Sequence, residues 1–155
     1  MGALEASALG QAMRQSLYLY PVVETVHIVG LALLFGSIAV LDLRLLGVGR
    51  AMPVTRLSRH VLPWTLGSFV LIVPSGLAMF IAHATDFIAH PLFAVKLGLI
   101  LAAIVNAGIF HSTAMRSVAG WDVQAAPPAA ARVAGGLSLV LWAAVIACGR
   151  FLAYL

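Results

Sequence analysis

Charge is scarce in this chain. Only 9% of its 155 residues are Asp, Glu, Lys or Arg, against roughly 25% in an ordinary soluble domain. That scarcity excludes a soluble globular enzyme, and the same composition excludes disorder, collagen and coiled coil. Cysteine is nearly missing. Cys148 stands alone, so there is no disulfide framework and no Cys-rich zinc or iron–sulfur site. What fills the chain is apolar: 63% of residues are hydrophobic and the mean hydropathy is +1.07. These values point to a small polytopic membrane protein.

A membrane helix needs about 20 mostly apolar residues. Four segments qualify: about 19–46, 61–82, 88–110 and 133–154. Only helices satisfy their own backbone in lipid at such lengths. The expected fold is therefore all-α, an integral membrane four-helix bundle forming one domain over 1–155. Gly47 to Pro53 reads as a helix stop and turn. Ala84-Thr85-Asp86-Phe87 is so short that spans two and three should be antiparallel neighbours. Ser112 to Arg132 reads as a surface loop, and Pro63 fits the first turn of span two. Leu4 to Leu17 has apolar residues at near-helical spacing and reads as a short amphipathic helix at the interface; a frayed terminus is the alternative.

Orientation follows the positive charge of short loops. Arg44, Arg50, Arg56, Arg59, Arg116 and Arg132 gather at one end; Arg14 and Arg150 lie at the other. Six against two places both termini outside, which in a bacterial inner membrane means the periplasm. The basic balance is thus a topology signal and needs no nucleic acid to explain it. No basic segment precedes the first apolar run, so a cleaved signal peptide is not expected. Tyr18, Tyr20, Trp64 and Tyr154 sit near span ends, as an aromatic belt would.

Ionisable residues inside a span cost roughly 2.5–3.5 kcal/mol by insertion scales and point to function. Glu24, His27 and Asp42 fall on one narrow face of span one, at ~100° per residue. Asp42 can pair with Arg44 or with the basic loop, and Lys96 in span three with Glu24. Span two presents His60, Trp64, Ser68 and Ser75 along one face, with Pro74 mid-span. Span four carries Gly135, Gly136, Ser138 and Cys148, small residues suited to close packing.

Five histidines occur in the chain. By depth His27 and His90 share the outer half, with His83 in the loop above, while His60 and His111 lie near the inner surface. Facing imidazoles are what a b-type haem requires as axial ligands. Arginines at the inner level, or Arg150 at the outer, would meet the propionates. Glu24 three residues before His27 is also a metal-site spacing. The plainer reading is interfacial histidines with satisfied hydrogen bonds. His90 and His111 lie roughly 31 Å apart along one axis, which favours one haem or metal site over two.

The run Tyr20-Pro21-Val22-Val23-Glu24-Thr25-Val26-His27-Ile28-Val29-Gly30-Leu31, with Leu41-Asp42-Leu43-Arg44-Leu45-Leu46-Gly47, resembles a family of small uncharacterised bacterial inner-membrane proteins. The resemblance covers most of the chain and implies no activity. More distantly, the architecture is similar to CopD-type and cytochrome-b-type membrane proteins, a likeness of fold alone. Three functions remain. One is a haem- or metal-binding electron-transfer subunit, partner to a periplasmic redox protein, using His27 with His90 or His60 with His111. The second is a non-catalytic assembly subunit whose polar seam specifies packing. The third is a small-solute or proton-coupled carrier using Glu24, Asp42 and Lys96, which would need a homodimer. None makes the chain an enzyme by itself.

Overall fold

The computed structural model describes residues 2–154, and among them the regular structure is entirely helical. Two short helices, α1 (Gly2–Glu5) and α2 (Ala8–Gln15), precede α3 (Leu19–Leu45) and α4 (Val54–Ala82). A one-and-a-half-turn helix, α5 (Ala84–Ala89), leads into α6 (Pro91–Ser112). A 3₁₀ segment (Ala114–Gly120) and a turn lead into α7 (Ala129–Leu152). Four of these helices are long and apolar enough to cross a membrane. Their outward faces are bare hydrocarbon; Val70 and Val140 are 73% and 66% exposed. Lipid gives no hydrophobic drive between helices, so packing here rests on close approach and hydrogen bonds.

Close approach is made by glycine. A Cβ on Gly30 of α3 would lie 2.8 Å from Ile72 of α4, and one on Gly135 of α7 would lie 3.0 Å from the Asp42 carbonyl of α3. The hydrogen bonds cross the same interfaces. Ser37 of α3 and Thr65 of α4 share one at 2.8 Å, and Asn106 of α6 donates to Ala134 O of α7 at 2.9 Å. α3 is thereby held between α4 and α7, and α6 packs on α7.

α4 and α6 were expected side by side, and they are not packed along their lengths. The reason is α5, a helical spacer where the sequence suggested a bare link. The two helices meet at the end that carries the chain termini, through stacked Phe80, Phe87 and Phe93, with ring centroids 5.5 to 6.5 Å apart. Toward the opposite end they leave a cleft between them.

The amphipathic N-terminal segment is two helices split at Ser7, whose hydroxyl accepts the Gly10 N–H. It docks on protein: α2 lies against α4 and Met13 is buried. Arg14 donates to Ala82 O at the last turn of α4. Glu5 accepts the Thr85 N–H at the first turn of α5. A cation thus meets a helix C-terminus and an anion a helix N-terminus, both favourable with the helix dipoles.

At the other end, α3 stops in a Schellman turn. The Gly47 N–H bonds Arg44 O and the Val48 N–H bonds Leu43 O, with Gly47 at φ 104°, a conformation that favours glycine. α4 begins before the apolar run that marks it in the sequence. Pro53 precedes it, and Asp122 caps it from the far loop, accepting both the Thr55 N–H and the Thr55 hydroxyl at 2.8 Å. Pro63 therefore lies inside α4, as does Pro74. The segment 113–128 is no simple surface loop either. Trp121 and Ala114 are buried in a core with Leu45, Val54 and Phe110.

Candidate functional site

The expected ion pairs are not formed. Among the described residues the salt bridges are Arg14–Glu5 at 3.9 Å and His83–Asp86 at 3.7 Å. Arg44 turns from Asp42 to the loops, donating to Met52 O at 2.8 Å and Asp122 O at 3.0 Å. Backbone carbonyls left open by two turns are nearer to its guanidinium than the carboxylate one helical face away. Lys96 does not pair with Glu24. It reaches α7, where a Cβ on Gly149 would lie 3.5 Å from its Nζ, so the missing side chain makes room for the ammonium. Glu24 is half-buried.

Each histidine has a separate setting. His27 of α3 meets α4: its Nδ1 lies 2.9 Å from Ser75 Oγ and 3.1 Å from Ile72 O. The Ser75 hydroxyl already donates to Leu71 O. Both neighbours of Nδ1 are then acceptors, which puts the ring proton there and leaves Nε2 with its lone pair. Gly76 makes room for the ring, since a Cβ there would lie 3.1 Å from Cε1. His90 is the N-cap of α6; its Nδ1 accepts the Leu92 N–H at 3.2 Å. A neutral His90 therefore carries its proton on Nε2 and offers no lone pair there. His111, exposed, donates from Nδ1 to Ala107 O. His60 is exposed, as is Trp64, so of the face expected on span two only Ser68 and Ser75 turn inward. Arg150 lies on Tyr154, 4.4 Å from the ring centroid. Among the described residues no three of His, Cys, Asp and Glu converge as a metal site would require.

The strongest feature is the cleft between α4 and α6, about 270 Å³ in volume. Its walls are apolar: Leu62 and Leu66 from α4, Ile104 and Ala107 from α6. Its floor is α3 and α7, including Leu34, Trp142 and Asp42. Asp42 is 5% exposed, and its Oδ2 is buried with no hydrogen-bond partner. Ser138 of α7 lies beside it. Asn106 and His111 also line the cleft from α6.

Asp42 stood out in the sequence as a partner for Arg44, as part of the polar seam and as a carrier residue, and the structure shows its Oδ2 without a hydrogen-bond partner. Ser138 was read as a packing residue, and no role was read for Asn106. Their spacing on α6 and α7 places them inward, yet nothing local signals that the neighbouring helix is absent there.

A family model described as "Family of unknown function (DUF6644)" matches residues 4–155. The chain belongs to this family. Among curated proteins and solved structures nothing matches it. Membership in DUF6644 thus agrees with the uncharacterised family that the Tyr20–Leu31 and Leu41–Gly47 runs resembled, and it assigns no activity to the cleft.

Proposed function

We propose that this member of DUF6644 is a non-catalytic multi-pass membrane protein that takes a lipid-soluble small molecule from the bilayer into the cleft between α4 and α6. The observation that carries this is the cleft with Asp42 on its floor. A span pair joined by α5 and pinned by three stacked phenylalanines at one end opens sideways at the other, toward lipid. Pockets that combine apolar walls with a few polar groups are the usual form of a small-molecule site. The test is native mass spectrometry of the protein released from its own membranes. A retained small molecule, lost in Ala107→Trp, is the expected result. A protein of bare chain mass in both forms would overturn the reading.

The protein sits in a bacterial inner membrane with both termini in the periplasm. This is supported by Arg50, Arg56, Arg59, Arg116 and Arg132, exposed around the end opposite the termini, as the positive-inside rule asks. A reporter active only in the cytoplasm, fused at the C-terminus, should be silent; activity would reverse the orientation.

A redox role is a second reading, and one observation favours it. His27 has its Nδ1 proton held by Ile72 O and Ser75, which is how metal-ligating histidines are commonly oriented. A haem between His27 and His90 does not fit, because His90 uses its lone pair to cap α6. The reading therefore needs His27 with an axial partner other than His90. An absorbance spectrum with metal analysis decides it: a Soret band or bound metal that disappears in His27→Ala supports the role, and neither band nor metal removes it.

A further inference from the structure

We propose that the occupant of the cleft carries a cationic amine head that pairs with Asp42, which rests on the reading of the cleft as a binding site. The cleft is poor in charge. It has one acid, Asp42, and no cation among the residues that line it. Arg44, the closest in sequence, is committed to loop carbonyls at Met52, Arg50 and Asp122. Oδ2 of Asp42 is buried without a partner, an arrangement that is costly in apolar surroundings until a donor or a cation arrives.

The other polar groups around Asp42 point the same way. From α6, Asn106 spends one of its two amide N–H donors on Ala134 O, which leaves Oδ1 and the other N–H. From α4, the Thr65 hydroxyl is engaged with Ser37 and Val61 O. From α7, Ser138 is the hydroxyl beside the carboxylate. His111 of α6 spends its Nδ1 on its own helix. Among these groups the carboxylate is the one that carries a formal charge, and the walls are hydrocarbon. The complement is an apolar body with a donor-only, positively charged end. A fatty alcohol would satisfy hydrogen bonding but not the charge, and in a low-dielectric cleft the charge-assisted bond is the stronger one.

The probes are dodecylamine, dodecanol and N-dodecylacetamide, the last a neutral N–H donor. They are titrated by calorimetry into the full-length protein in lipid nanodiscs, with empty nanodiscs subtracted. Dodecylamine should bind at least about tenfold more tightly than either neutral probe, and Asp42→Asn should erase that preference. Ala107→Trp should weaken all three. Equal binding of the amine and the neutral probes to the wild-type protein would overturn the amine assignment and leave the cleft in place. Binding that ignores Ala107→Trp, or no binding by any probe, would overturn the cleft reading and this inference with it. The wild-type comparison stands whether or not Asp42→Asn folds.

Discussion

At the scale of single residues, glycines decide where the helices touch. Gly30 and Gly135 have no room for a Cβ, whereas Gly98 on α6 faces open space. Alanine is favoured over glycine in a helix by about 1 kcal/mol, so Gly98→Ala should raise stability slightly. Gly135→Ala meets the Asp42 carbonyl and Leu45 Cβ at 3.0 Å, and overpacking commonly costs about 1–3 kcal/mol. Gly135→Ala should therefore denature well before Gly98→Ala when detergent-solubilised protein is titrated with SDS. Equal midpoints would mean that α3 and α7 do not approach as described. The sequence marked Gly135 as a packing residue, because small residues stand out in an apolar span. It could not distinguish Gly135 from Gly98, since the difference lies in the neighbouring helix. The histidines teach the same lesson. His27 was legible as an inward group on α3, but its partners Ile72 and Ser75 lie 45 and 48 residues away. His90 caps α6 through Nδ1, a role set by its own neighbour Leu92 two residues on.

At the scale of elements, the four spans were legible from hydropathy and the stop at Gly47 from its glycine, whereas the roles of the other connections were not. Loop roles here are set by contacts distant in sequence. Asp122 in the second loop caps α4 and, through its backbone carbonyl, holds Arg44 of α3. Glu5 caps α5 from the N-terminal segment. The Thr55 N–H bonded to Asp122, with the Thr55 hydroxyl and the Val54 N–H adding to it, holds that carboxyl below its usual range. The Thr85 N–H does the same for Glu5. A carboxylate with a lowered folded-state pKa stabilises fully above its unfolded value and loses that contribution as pH falls through the folded value. The wild-type protein should accordingly melt at a lower temperature near pH 3 than at pH 7. Asp122→Asn should show a smaller drop, and Asp122→Ala should lose about 1 kcal/mol at pH 7, as removed helix caps do. Differential scanning of solubilised protein at the two pH values reads both effects. An acid-induced drop identical in wild type and Asp122→Asn would remove Asp122 from this role.

At the scale of the whole molecule, the scarcity of charge announced a membrane protein, and the placement of the few remaining charges located its unusual part. Apolar periodicity cannot reveal a gap between two helices, because a face turned to lipid and a face turned to a cleft carry the same residues. The gap follows from α5, which sets α4 and α6 apart while the aromatic stack joins them at one end, and from Asn106 and Gly135, which tie α6 and α3 to α7 instead. Only Asp42, an acid near the inner end of an apolar span, betrays it in the sequence. The direct measurement is photolabelling in nanodiscs with an alkyl diazirine, with adducts mapped by mass spectrometry. Leu34 and Trp142 are buried and line the cleft floor, where a molecule inside the cleft meets them. Adducts on Leu34 or Trp142, suppressed by Ala107→Trp, are the predicted result. Labelling confined to outward positions such as Val70, Leu101 and Val140 would contradict a cleft that admits molecules from the bilayer.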